Sequence, residues 1–342
     1  MPERRKLLLL STSILISITT ILFILFHSPY KITRETLDYL TEINPYYLAL
    51  AIGMHAVSWI LWGCRLKIMG DFIGTHDGSG EVKRLSLPKS LKIIFSSLFA
   101  ACITPSQFGG EPVRIYLLNK HGFSVGDGTA VVLGERVLDF VVIAVGTALS
   151  FLLFRAVLAN NTALYVIFTV IGVLIIAGVV FMAYAVAKPE KATKLIKALL
   201  AKIKSRRVEK IKDKILIEID NFFSAINRFR SDGKSTLGLA LFITAAFWLV
   251  AFLIPSFLLL GLGVDPVWLY SIAAQFILTI IVAVPITPGG SGIAEVGVTA
   301  LYHSLVGTPI LGVFMFLWRL CTYYLNLIAG GITSVKMISE MR

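Results

Sequence analysis

The amino-acid sequence predicts an all-α protein, a polytopic helical membrane protein with about six to eight spans. Of its 342 residues, 56% are hydrophobic and only 15% are charged, and the mean hydropathy is +0.82. A soluble domain carries about 25% charged residues, so this chain has too few to cover a water-facing surface. The apolar residues form long continuous runs, which are typical of membrane helices and exclude the alternating pattern of an outer-membrane barrel.

Six apolar segments are long enough to cross a bilayer, which takes about 20 residues of helix. In chain order they cover residues 7–26, 46–63, 129–154, 162–187, 237–260 and 309–335. The first follows a basic N-terminus, as in a signal peptide, but its length and the lack of a small-residue cleavage site favour a retained span. The segments 93–103, 271–285 and 293–306 are shorter and are interrupted by Pro and Gly, which predicts two broken or re-entrant elements.

The charge distribution predicts the orientation of the chain in the membrane. Of the net charge of +12, two thirds lies in residues 188–234, which carry 14 Lys or Arg and six acids. Basic loops stay inside, so this segment, the basic N-terminus and the C-terminus are expected on the cytoplasmic side of the cell membrane.

The same distribution constrains the number of crossings. An even number must separate the N-terminus from residues 188–234, whereas five apolar segments lie between them. The 11-residue run 93–103 is the shortest, so we predict a re-entrant element over residues 93–111 that enters from the cytoplasmic side. Parity leaves open whether residues 271–306 cross fully or dip in; if they dip, the two broken elements enter from opposite faces.

The basic segment 188–234 is interpreted as an amphipathic helical insertion in a single transmembrane domain that covers residues 1–342. Its apolar residues recur every three or four positions, as on one face of a helix. Two arrangements fit this pattern: helices that lie on the membrane surface, or a packed helical hairpin with a solvated basic face. In so apolar a chain, the positive charge points to anionic lipid head groups and not to nucleic acid.

The two broken segments resemble each other, which suggests an inverted pseudo-repeat. Each has an apolar run, then Ile-Thr-Pro, then glycines and a Glu, in 103–111 and again in 286–295. Such breaks leave backbone N–H and C=O groups unpaired, and at membrane depth these groups are tolerated only where they line a cavity or bind a ligand. The alternative is that Pro and Gly only kink two packed helices. The broken-helix motif comprises Pro105, Gly109, Gly110, Pro285, Pro288, Gly289, Gly290 and Gly292.

Ionisable residues within the apolar segments are the candidate binding residues, because charges inside a span are costly and usually mark a site. Glu135, Arg136 and Asp139 fall close to one helix face, and a structural ion pair is the alternative. Arg319 lies deep in the last span, where it either pairs with Glu295 or binds phosphate. The substrate-binding candidates are Glu111, Arg114, Glu135, Arg136, Asp139, Glu295 and Arg319. Arg65 is interpreted as an interface anchor.

The sequence indicates neither a catalytic motif nor a metal site. The three Cys and five His residues do not cluster, so no metal and no cofactor are expected. No ATP-binding motif is found, so any transport is predicted to be downhill or ion-coupled.

The sequence resembles the lysylphosphatidylglycerol synthase transmembrane-region family. The resemblance is carried by four features in this order: the motif 105–114, the Glu135-Arg136-x-x-Asp139 motif, the motif 285–295 and Arg319. The resemblance covers nearly the whole chain and implies a flippase-like translocation of a polar-headed lipid, either a phospholipid or a polyprenyl-linked one. In the two-domain synthases of this family a soluble domain attaches lysine to the lipid. The chain ends at Arg342, so we expect neither that domain nor aminoacyl transfer.

The function expected from the sequence is therefore a non-enzymatic movement of a lipid head group through a polar groove. Three alternatives stay open: an ion-coupled secondary transporter of a small solute, a membrane enzyme acting on lipid-linked sugars or phosphates, and a partner subunit without transport of its own. The expected partners are anionic membrane lipids, together with a second copy of the chain or a separate lipid-modifying enzyme.

Overall fold

The computed structural model describes residues 40–75, 84–104, 109–159, 173, 212–283, 290, 292–303, 306 and 308–340. Within these residues the regular structure is helical throughout and contains no strand, which confirms the all-α prediction. The predicted spans 7–26 and 162–187, residues 188–211 of the basic segment, and the motif residues Pro105, Pro285, Pro288 and Gly289 lie outside the described residues.

Eight helices with described bounds precede the last helix. They are α1 (Pro45–Thr75), α2 (Leu87–Cys102), α3 (Gly110–Lys120), α4 (Val125–Ala159), α5 (Lys212–Ser231), α6 (Lys234–Gly261), α7 (Trp268–Val282) and α8 (Ile293–Tyr302). The last helix is continuous and consists of α9 (Thr308–Arg319), a π-helical turn (Leu320–Tyr324) and α10 (Leu325–Glu340).

Three of these helices are long and apolar enough to cross a membrane: Pro45–Gly74, Lys234–Gly261 and Ile310–Met337. They confirm a membrane protein with several spans. The 35-residue helix α4 includes the predicted span 129–154, and three charged residues lie within that span.

Helices α1 and α6 pack against each other in opposite directions, which defines two ends of the bundle. At one end the backbone N–H of Asn44 donates to the carbonyl of Gly261 at 2.9 Å. At the other end Phe72 of α1 stacks on Phe229, just before α6 begins, with ring centroids 5.1 Å apart. We call these the Gly261 end and the Lys234 end.

Helix α5, the described part of the basic segment, packs on the Lys234 end. Its buried Ala225 and Phe229, with the partly buried Phe222 and Ile226, join a core formed by α1, α2, α3 and α4. The Glu218 carboxylate accepts the Gly126 N–H at 2.6 Å, at the start of α4. For residues 212–231 this favours the packed arrangement over a helix lying on the membrane surface.

Helices α2 and α3 form a hairpin, hairpin 1, around the first broken motif. A Cβ placed on Gly110 would lie 3.1 Å from the Ser97 carbonyl, so α3 turns back closely along α2. The helix starts at Leu87, earlier than the predicted 93, because the adjacent proline suits the first helical turn. The predicted break is therefore present, as a helical hairpin.

Hairpin 1 lies beside one half of the last helix. Its first helix runs antiparallel to α10, since Lys92 pairs with Glu340 at 3.0 Å and Ser96 donates to the Met337 sulfur at 3.2 Å. The hairpin ends at the π-helical turn, where the Tyr323 hydroxyl donates to the Cys102 carbonyl at 3.0 Å. Hairpin 1 thus reaches only midway along the last helix.

Helices α7 and α8 form hairpin 2 around the second broken motif. The Tyr302 hydroxyl at the end of α8 lies 2.9 Å from the Ser271 hydroxyl and accepts the Gln275 side-chain N–H at 3.0 Å. These contacts join the start of α7 to the end of α8 and so define the base of the hairpin. At the tip, Gly290 and Gly292 have φ of 69° and 85°, a region that favours glycine. The base follows α6 directly, so hairpin 2 starts from the Gly261 end and the two hairpins approach each other from opposite ends.

Candidate functional site

Charged side chains from three helices gather at one level of the bundle, which we call the arginine cluster. It contains Arg65 of α1, Glu111 and Arg114 of α3, and Glu135, Arg136 and Asp139 of α4. Arg65 lies ten residues before the end of α1, and Glu135 lies ten residues after the start of α4. At 1.5 Å per residue both are about 15 Å from the Lys234 end, well inside the helices.

The buried part of the cluster is a chain of alternating charges. Arg65 donates from Nε to a Glu135 oxygen at 3.0 Å and from Nη1 to an Asp139 oxygen at 2.6 Å. The other Glu135 oxygen accepts from Arg114 Nη1 at 2.5 Å. The side chains of Arg65, Arg114 and Glu135 are at most 1% exposed, so these charges neutralise one another away from solvent.

Two polar residues of α6 complete this network. The Thr244 hydroxyl accepts from Arg65 Nη1 at 2.9 Å, and the Trp248 indole N–H donates to Asp139 at 3.0 Å. Sequence reasoning missed both of them and was wrong to interpret Arg65 as an interface anchor. The predicted apolar segment ended at residue 63, whereas the helix continues for ten residues beyond Arg65, which places this arginine well inside it.

One ion pair of the cluster reaches the surface. Arg136 Nε donates to Glu111 at 2.7 Å, and their side chains are 38% and 22% exposed. Arg136 also lies 3.5 Å from an Asp139 oxygen, so the open pair touches the sealed network. The structure therefore does not show a groove lined by all the predicted residues, because Arg114 and Glu135 are buried and paired with each other.

The remaining two predicted residues form a second ion pair at the tip of hairpin 2. Arg319 Nε donates to Glu295 at 2.8 Å, and its Nη2 donates to the Gly290 carbonyl at 3.3 Å. The other Glu295 oxygen accepts the Gly292 N–H at 2.5 Å. The predicted partnership of Glu295 and Arg319 is confirmed, and it ties the tip to the last helix.

The tips of both hairpins meet the same short stretch of the last helix. Arg319 holds hairpin 2, while Tyr323, four residues later, holds the end of α2 in hairpin 1. The Arg319 guanidinium carbon also lies 5.4 Å from the centroid of the Tyr323 ring. The π-helical turn at Leu320–Tyr324 falls in this stretch, and such turns occur frequently at functional sites.

The chemistry available at these positions is recognition by charge and hydrogen bonds. In the described part of the chain no group of three or more His, Cys, Asp or Glu side chains is placed to hold a metal ion. Guanidinium groups instead bind phosphate and carboxylate oxygens in pairs, and carboxylates bind ammonium or hydroxyl groups.

Membrane-length helices, two helical hairpins that meet midway, and ion pairs buried at helix depth define a polytopic helical membrane protein with a polar interior site. The chain belongs to the lysylphosphatidylglycerol synthase TM region family, whose profile matches residues 9–330. This confirms the resemblance drawn from the broken motifs and the charged residues.

Curated relatives are similar over almost their whole length. The chain is 33% identical to a UPF0104 membrane protein of Archaeoglobus fulgidus over 322 residues, which is 93% of either chain. It is 25% identical to one of Pyrococcus horikoshii, over 94% of this chain and 96% of the relative. It is 26% identical to one of Methanocaldococcus jannaschii, over 97% of both.

Proposed function

We propose that this protein moves a polar-headed lipid between the two leaflets of the cell membrane, without catalysing a reaction. The observation that carries the proposal is the meeting of the two hairpin tips at Arg319 and Tyr323, midway along the last helix. Broken helices with ends near the bilayer midplane are how transporters build polar sites in apolar surroundings. The family membership supports the same function.

The proposed membrane placement puts the Lys234 end in the cytoplasm. This end carries α5 and the rest of the basic segment, and Lys and Arg accumulate on the cytoplasmic side of membranes. Hairpin 1 then enters from the cytoplasm and hairpin 2 from the outside. The N-terminus and the C-terminus would both be cytoplasmic.

The head group would travel past the charged residues while its tails stay in the bilayer. Glu111, in the first turn of α3, belongs to the partly exposed pair with Arg136 and lies next to the tip of hairpin 1. The head group would meet this pair first and then reach Arg319 between the tips. Arginine would bind a phosphate, and the carboxylates would bind a cationic or hydroxyl-rich head.

Labelling of introduced cysteines tests the placement. In a background with Cys64, Cys102 and Cys321 replaced by alanine, Lys120→Cys marks the base of hairpin 1 and Asp265→Cys marks the loop before hairpin 2. Both side chains are exposed. We expect an impermeant maleimide to label the second from outside intact cells and the first only after permeabilisation. Labelling of both cysteines from the same side would contradict the entry of the two hairpins from opposite faces of the membrane.

Transport in reconstituted vesicles tests the function itself. Fluorescent lipids with anionic, zwitterionic and neutral head groups are placed in proteoliposomes, and dithionite bleaching from outside reports the exchange between leaflets. We expect at least one phosphate-bearing lipid to exchange faster than in protein-free liposomes. If no head group moves faster, the proposal fails.

The variant Arg136→Gln tests in the same vesicles whether the Arg136–Glu111 pair takes part in transport. Because the Arg136–Glu111 pair is partly exposed, we expect little loss of stability. The exchange rate should fall about tenfold or more, as expected for the loss of a charge-assisted contact of about 1.5–3 kcal/mol. Lys92→Gln breaks a comparable exposed pair with Glu340 and should leave the rate unchanged. Equal rates for both variants and the native protein would refute a role for the open pair.

A further inference from the structure

Arg114 of the arginine cluster and the neighbouring Trp62 each carry a buried N–H group without an acceptor in the described part of the chain. The Arg114 Nε and the Trp62 indole Nε1 are both buried and have no hydrogen-bond partner among the residues that the structure describes. The two side chains stack, with the guanidinium carbon of Arg114 4.9 Å from the centroid of the Trp62 ring. Arg114 itself is 1% exposed.

These two unpaired N–H groups contrast with the other side chains of the network. Arg65 and both carboxylates that it contacts have charged partners, and even the indole of Trp248 donates to Asp139. A buried donor without an acceptor costs free energy, so these two donors on adjoining side chains indicate a place where acceptors are missing.

The surroundings favour an anion as that acceptor. Arg114 lies one turn after the start of α3 at Gly110, and the N-terminus of a helix carries partial positive charge. Glu135, the acid nearest to Arg114, already accepts from Arg114 Nη1 and from Arg65. Both Glu135 oxygens are thus already used, and an oxygen of a ligand would supply the acceptor that the Nε atom lacks.

We propose that Arg114 Nε and Trp62 Nε1 form an oxyanion subsite that binds two oxygens of a phosphate mono- or diester. The proposal rests on the proposed function, since it assigns the phosphate of the head group to this place. Arg114 is closed off in this structure, so the ligand reaches it only when the neighbouring pair of Arg136 and Glu111 separates. Arg136 then balances the added charge of the anion.

The subsite is tested with Trp62→Phe in the purified full-length protein in detergent. The ligand-induced rise in Tm is measured with dihexanoylphosphatidylglycerol, inorganic phosphate and dihexanoylglycerol. We expect the phosphate compounds to stabilise the native protein and dihexanoylglycerol to have no effect. In Trp62→Phe the apparent affinity for the phosphate compounds should fall about tenfold.

A matched control separates binding from folding. Trp59→Phe makes the same change in volume, but the Trp59 indole donates to Asn326 at 2.7 Å. Without ligand, Trp59→Phe should therefore lower Tm more than Trp62→Phe, whose lost N–H had no acceptor, and it should keep the ligand response. Benzothienylalanine at position 62, which replaces the N–H by sulfur at nearly equal volume, should reproduce the loss of affinity.

The outcomes distinguish the subsite from the transport function. Stabilisation by phosphatidylglycerol that is lost in Trp62→Phe supports a lipid ligand, and stabilisation by inorganic phosphate alone supports a free anion at the same atoms. Binding that is lost in the variant while no lipid exchanges in vesicles keeps the subsite and rejects the flippase. Unchanged affinity in Trp62→Phe, or no binding of any phosphate compound, overturns the subsite.

Discussion

Replacement of Arg65 by leucine is expected to lower the free energy of unfolding by about 3–5 kcal/mol, as is found when one partner of a buried ion pair is removed. The Arg65 guanidinium binds both Glu135 and Asp139, and its side chain is 1% exposed. Without it, Asp139 keeps the Trp248 N–H and the more distant Arg136, so its charge is poorly balanced. Thermal unfolding in detergent measures the loss.

Two controls test this explanation. Arg84→Leu removes a cation from an exposed position and should leave Tm unchanged. The double variant Arg65→Leu, Asp139→Asn removes the unbalanced carboxylate as well, so it should recover part of the lost stability. If the double variant is less stable than Arg65→Leu alone, charge balance is not what Arg65 supplies.

Replacement of Gly330 by alanine is the second large effect that we expect. A Cβ at this position would lie 2.5 Å from the backbone carbonyl of Phe95 and 2.9 Å from the backbone nitrogen of Phe99, both in α2. Backbone atoms cannot yield as a flexible side chain does, so hairpin 1 must shift away from the last helix. Overpacking of this kind costs about 1–3 kcal/mol, and Tm should fall accordingly.

The neighbouring glycine is a matched control for this variant. A Cβ on Gly331 would lie 3.5 Å from the ring of Phe99, an ordinary contact, so Gly331→Ala should keep the native Tm. Because Gly330 holds α2 against the last helix, we also expect Gly330→Ala to slow lipid exchange in vesicles. Equal behaviour of the two alanine variants would show that the close approach of α2 is not needed.

The sequence predicted the parts of the site that depend on short-range spacing. Glu135 and Asp139 are four residues apart, so a helix brings them to one face wherever it packs. Both broken motifs contain glycines where the chain turns, and the two hairpins form around them. The pairing of Glu295 with Arg319 was also found, because each is a charge in otherwise apolar surroundings and needs a partner.

The sequence could not predict the partners that come from distant helices. Arg65 is 70 residues from Glu135 and 179 residues from Thr244 along the chain. At the boundary of an apolar segment, an arginine that anchors in the interface and one that turns inward have the same local pattern. The role of Tyr323 was hidden in the same way, since its acceptor is a carbonyl of another element.

By itself the sequence determined the class of protein, the positions of the broken helices and most of the charged residues that lie within the helices. These properties follow from composition, from the length of apolar runs and from local spacing, which do not depend on how the helices pack. Only the tertiary structure decided that the hairpins meet at Arg319 and Tyr323, that Arg114 and Glu135 are sealed, and that Arg136 is open. Burial and pairing depend on which helix faces which, and that is set by contacts between residues far apart in the chain.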